Sequence, residues 1–109
     1  MTYADLENLI KAFNIPYVYH HFKEQEKQKP PYICWYFLSD YDFIADNINF
    51  QPIRRINIDV YTKNKDLALE KQIENILKAN GIAFSYEEEY NHNENEYVVT
   101  YTIQPLITE

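Results

Sequence analysis

The side chains most capable of chemistry here are two adjacent histidines, a run of carboxylates, one thiol and a pair of arginines. His20 and His21 stand side by side in IPYVYHHF, and His92 lies far along the chain. In a strand, adjacent side chains point to opposite faces, so His20 and His21 are not expected to chelate one ion. The spacings HxH, HExxH and CxxC are absent, so no metal residue is assigned. One histidine is expected half-buried and the other solvated. Glu87, Glu88 and Glu89 also alternate faces, and with Glu94 and Glu96 they form an acidic segment. Paired carboxylates do acid–base work only when unlike environments separate their pKa values. On a solvated turn their expected role is to discourage wrong edge pairing.

Cys34 is the only cysteine and lies in the apolar run YICWYFL. No intrachain disulfide is possible, and an apolar setting makes an inert thiol rather than a nucleophile. Neither Ser39 nor Ser85 sits in a GxSxG context. A single glycine rules out Walker and dinucleotide loops, which need several. No catalytic or cofactor-binding residue is therefore assigned, no cofactor is implied, and the chain is not expected to be an enzyme.

Arg54 and Arg55 sit inside NINFQPIRRINIDVYT. Ile48, Phe50, Arg54, Ile56, Ile58 and Val60 share one strand parity, so Arg54 points where apolar residues point. An arginine on that face is costly unless partnered. Either the strand has left the core by Pro52 and Arg54 is solvated, or Arg54 or Arg55 meets an acidic patch on another copy. Glu87, Glu88 and Glu89 are the candidate acceptors, because the planar guanidinium suits carboxylates.

The elements that must position these groups are readable from periodicity. Thr2 followed by Asp5 makes an approximate capping box, and Leu6, Leu9, Ile10 and Phe13 recur at helical spacing. A helix is expected over residues 3–13. Strands are expected over 16–22 and 31–38, the second with two apolar faces and hence a central place. The segment 47–62 is expected to be one long strand, or two collinear pieces, overhanging the sheet around Pro52. KNKDLALEKQIENILKANG is a second helix, with Asn64 or Asp66 as cap, a stripe of Leu69, Ile73, Ile76 and Leu77, and Gly81 at a left-handed C-terminal position. IAFSYEEEY and EYVVTYTIQPL, joined by NHNEN, are an antiparallel hairpin. The order α-β-β-β-α-β-β makes an α+β domain over residues 1–109, with two helices packed on a mostly antiparallel sheet.

Composition sets the remaining limits. The chain has 109 residues, 46% hydrophobic, with a net charge of -7 and eleven tyrosines. An acidic chain does not gain affinity by neutralising phosphates. The start MTYADLENLI lacks a basic region followed by an apolar core, and no apolar run approaches a membrane span. The expected setting is cytoplasmic, or a particle assembled there.

Four stretches resemble the tail-terminator, or tail-completion, proteins of long-tailed bacteriophages. They are NIPYVYHHFKE, PPYICWYFLSDYDFIADN, RINIDVYTKNKDLALEKQIENILKANGIAF and EYNHNENEYVVTYTIQPL. The resemblance covers nearly the whole chain and rests on strands and turns. It implies a structural virion-assembly protein of the tail or neck, assembled in the bacterial host cytoplasm. Such a protein forms a homo-oligomeric ring, usually hexameric, that caps the tail tube protein and offers a surface to head-side connector proteins; in solution the expectation is either that ring or a monomer that assembles only on the tail tip. DNA passes through without being specifically bound, and no membrane is involved. The overhanging strand would embrace a neighbouring subunit, with the interface drawn from Asp46, Asn47, Phe50, Arg54, Arg55, Glu87, Glu88 and Glu89. Two other readings stand beside this one, and a third, a metal-dependent enzyme using His20, His21 or His92, has no metal-ligand spacing behind it. One is a head–tail connector or neck protein. The other is a small cytoplasmic module whose aromatic sheet face binds a peptide or ligand.

Overall fold

Thr2 opens the first helix as the sequence pattern predicts. Its hydroxyl accepts from the Asp5 amide at 3.1 Å, and the Asp5 carboxylate accepts from the Thr2 amide at 2.9 Å. Two of the amides left unpaired at a helix start are thereby satisfied. The computed structural model describes residues 1–23, 26, 28–38 and 54–105. In it α1 spans Tyr3–Lys11, slightly shorter than expected. The chain turns out of the helix through Asn14, whose φ is 61°.

The second helix, α2, spans Leu67–Ala79. Of the two candidate caps, Asp66 is the one used, accepting from the Leu69 amide at 3.0 Å. Its far end closes on Gly81, at φ +69°. The Ile82 amide donates to the Leu77 carbonyl at 2.9 Å and the Gly81 amide to the Lys78 carbonyl at 3.0 Å. That pair of bonds is the Schellman closure, and it needs a left-handed residue at the glycine position.

Five strands, β1 (Tyr17–Tyr19), β2 (Tyr32–Phe37), β3 (Ile56–Thr62), β4 (Phe84–Asn91) and β5 (Glu96–Ile103), form one sheet in the order β1-β2-β3-β5-β4. The β1–β2 pairing is parallel and the others are antiparallel. The fold is α+β with the expected order of elements.

Two expectations change. The first strand stops at Tyr19 instead of reaching residue 22, because His20 takes φ 72° and leaves extended backbone. The second strand lies next to β3 rather than at the centre. Its Tyr32, Ile33 and Cys34 are buried, whereas Trp35, Tyr36 and Phe37 are half-exposed. The described part of the segment expected over 47–62 is β3 from Ile56, and a Leu38 amide to Arg55 carbonyl bond of 2.8 Å carries the ladder one step earlier. The overhang predicted around Pro52 lies outside the described residues.

The register divides the sheet into two unlike faces. Ile33 stands opposite Val60, Trp35 opposite Ile58, and Ile58 opposite Tyr101. With Ile56, Val99 and Ile103 these residues form the face on which Leu6, Ile10 and Phe13 of α1 and Ile73 and Leu77 of α2 are packed. Burying such side chains stabilises the fold by about 1.5–3 kcal/mol each. Gln72 of α2 donates to the Phe13 carbonyl at 3.3 Å, tying the two helical segments together. The opposite face carries Tyr32, Cys34, Tyr36, Asn57, Asp59, Tyr61, Val98, Thr100 and Thr102.

Candidate subunit interface

Arg54 and Arg55 immediately precede β3 and part company there. Arg54 keeps the parity of Ile56, and its guanidinium carbon lies 4.4 Å from the centroid of the Phe37 ring. The aromatic face attracts the cation, so the apolar parity does not bring Arg54 into the core. Its place is the rim where the Tyr3, Tyr19, Trp35 and Phe37 rings cluster, edge to face except for the tilted Tyr19–Phe37 pair. Arg55 has the parity of Asn57 and Asp59, which puts it on the face away from the helices.

Glu87, Glu88 and Glu89 lie on β4, an edge strand eight residues long and exposed on both faces for nearly its whole length. They do not act as one patch. Glu88 faces the helices and is bound by Lys65, whose ammonium also reaches the Glu70 carboxylate at 2.8 Å. Both carboxylates hold the Lys65 ammonium above its ordinary pKa, with Glu70 the larger influence. Glu87 and Glu89 face the other way, level with Thr100 and Val98 of β5. Asp46, Asn47 and Phe50, the remaining predicted interface residues, lie outside the described residues.

Between Glu87 and β3 runs a hydrogen-bonded polar row that sequence reasoning missed. Thr100 donates to Asp59 at 2.8 Å, and Thr102 donates to the Asn57 side-chain carbonyl at 2.7 Å. The Asn57 amide donates onward to the Tyr36 hydroxyl at 3.3 Å. Asp59 is only 8% exposed, and burial raises its pKa against the opposing pull of the Thr100 and Tyr36 hydroxyls. Beside it the Tyr32 and Tyr61 rings stack, with centroids 4.7 Å apart. The polar parity of β3 was visible as Asn57, Asp59 and Tyr61. Its partners were not, because they lie about forty residues away.

No protein-family model, curated protein or solved structure matches this chain.

Cys34 is buried and free. Burial, with the Asp59 carboxylate beside it, pushes the thiol up to about 11, far from the thiolate that a nucleophile needs. Among the described residues no helix is long and apolar enough to cross a membrane, and no group of three or more His, Cys, Asp or Glu gathers as a metal site.

The adjacent histidines are not separated as strand alternation predicts. His20 and His21 do not alternate, because both lie beyond the end of β1, and their Nδ1 atoms are 2.7 Å apart. Both are exposed, so the expected split into one half-buried and one solvated ring is also corrected. His92 is remote from them in the β4–β5 turn, with its ring 4.9 Å from that of Tyr90.

Proposed function

We propose that this chain is a ring-forming virion-assembly protein that caps a phage tail tube and presents the head-joining surface. The observation that carries the reading is the separation of opposite charges on one sheet face. Arg55 precedes β3, whereas Glu87 lies two strands away and level with Asp59, four residues further along. Strand rise and spacing put their backbones roughly 16 Å apart, too far for the two side chains to meet within one copy. A head-to-tail contact between copies joins them, and repeated contacts of that kind close a ring when the rotation permits. Among the described residues β4 has no outer neighbour, which supports the same reading, since an exposed edge strand is a natural pairing surface. Arg55, Glu87 and Glu89 share the sheet face turned away from the helices, whereas Arg54 lies over Phe37 on the other side, so Arg55 is taken as the donor in this junction and Glu87 and Glu89 as the acceptors.

The test is a charge exchange read by light scattering on a sizing column across protein concentration and salt. Wild-type protein is expected to give a closed oligomer near hexameric mass, weakening as salt screens the junction. Arg55→Glu and the double variant Glu87→Arg/Glu89→Arg are each expected to be monomeric, and their mixture to associate. Adding purified tail tubes or head-side connectors then separates a terminator from a neck protein by which one recruits the ring. Monomers at every concentration, unrecruited by either partner, would overturn the assembly reading in favour of a small binding module.

A further inference from the structure

We propose that His20 and His21 form a two-imidazole clip for a borderline transition-metal ion such as Cu2+ or Zn2+. The inference is independent of the ring reading and requires only the folded monomer.

The clip is a product of backbone geometry. The His20 amide makes the last rung on β2, donating to the Trp35 carbonyl at 2.7 Å. His20 then turns through φ 72°, a conformation uncommon outside glycine though tolerated by histidine. The His21 amide folds back onto the Tyr19 carbonyl at 3.0 Å. Neighbouring side chains that an extended strand would send apart are thereby aimed at each other. Their Nδ1 atoms are 2.7 Å apart, with ring planes at 76°.

In the metal-free pair one Nδ1–H donates and the other Nδ1 accepts. Each neutral ring also has a tautomer protonated at Nε2, which leaves both Nδ1 lone pairs free. Metal–nitrogen bonds of about 2.0–2.1 Å at a tetrahedral angle set two such nitrogens about 3.3 Å apart. The existing pair therefore needs to open by about 0.6 Å and each ring to tilt by about 35° so that both lone pairs meet one ion at that angle, a movement open to exposed side chains. Imidazole nitrogens suit Cu2+, Zn2+ and Ni2+, whereas Mg2+ and Ca2+ prefer oxygen ligands. Water completes the coordination shell, and Cu2+ binds most tightly by the usual order of divalent ions.

The chain carries its own reporter, because Trp35 is its only tryptophan and its carbonyl is bonded to the His20 amide. Titrating Cu2+ into the full chain is expected to quench Trp35 fluorescence saturably at one ion per chain, with Mg2+ inert. Calorimetry with Zn2+ gives the second readout. His21→Ala, and His20→Asn chosen because asparagine tolerates the same backbone region, are each expected to weaken Cu2+ at least about tenfold. His92→Ala should bind as wild type does. Circular dichroism checks that the variants fold, and His21→Ala decides alone if His20→Asn does not. Wild-type affinity in His21→Ala, or no saturable quenching in the wild type, overturns the proposal.

Discussion

Replacing Gly81 by alanine isolates one physical effect. Gly81 sits at φ +69°, and a Cβ built there meets nothing within 4 Å. Steric collision with neighbours therefore contributes nothing, and the cost is that of forcing an L-residue into the left-handed region, about 1–2 kcal/mol. Stiffening of the unfolded chain by alanine acts on the same equilibrium, and a net loss of about 1 kcal/mol is expected. For 109 residues the unfolding entropy is about 230 cal/mol/K at the usual value per residue. That converts the loss to a fall in Tm of about 4 °C. Gly81→Asn should lie between alanine and wild type, because asparagine is the usual second choice at this position. Thermal unfolding followed by far-ultraviolet circular dichroism reads all three. A Tm for Gly81→Ala at or above wild type would refute the left-handed closure of α2. A fall beyond about 12 °C would mean that the methyl group meets a neighbour after all.

Tyr101 is fully buried and its hydroxyl donates to Glu74 at 2.9 Å. Tyr101→Phe should lower stability by about 1.5 kcal/mol, the lower end for a bond to a charged group, because the half-exposed Glu74 carboxylate can rehydrate. The urea midpoint should fall with an unchanged slope, and an unmoved midpoint would show that the bond contributes nothing. For Asp59, burial raises the folded-state pKa above the ordinary value, so the folded chain holds that proton more tightly than the unfolded chain. Its contribution to stability is fully present below the unfolded carboxylate pKa, about 3.9, and is lost as pH rises through the folded value. Asp59→Asn should flatten that part of the stability–pH curve, and an unchanged slope between wild type and variant would contradict the assignment.

The features legible in the sequence are those whose causes lie within a few residues. Thr2 and Asp5 cap α1 from three positions apart. Gly81 marks the end of α2 because the last turn needs a left-handed residue there. The alternation from Tyr97 to Ile103 announces β5, since period two is a property of extended backbone itself. Local rules were enough to reach the two helices and five strands of the described residues and their order along the chain.

Pairing and register belong to the tertiary structure alone. Nothing near Tyr17 states that β1 runs parallel to β2. The bonds from Thr100 to Asp59 and from Lys65 to Glu88 join residues 41 and 23 positions apart. The two histidines show the difference most plainly. Alternation predicts that His20 and His21 diverge, and it would hold if the strand continued. The strand ends because, after the His20 amide has made its last rung on the Trp35 carbonyl, the His20 backbone turns left-handed, and that turn decides where both rings point.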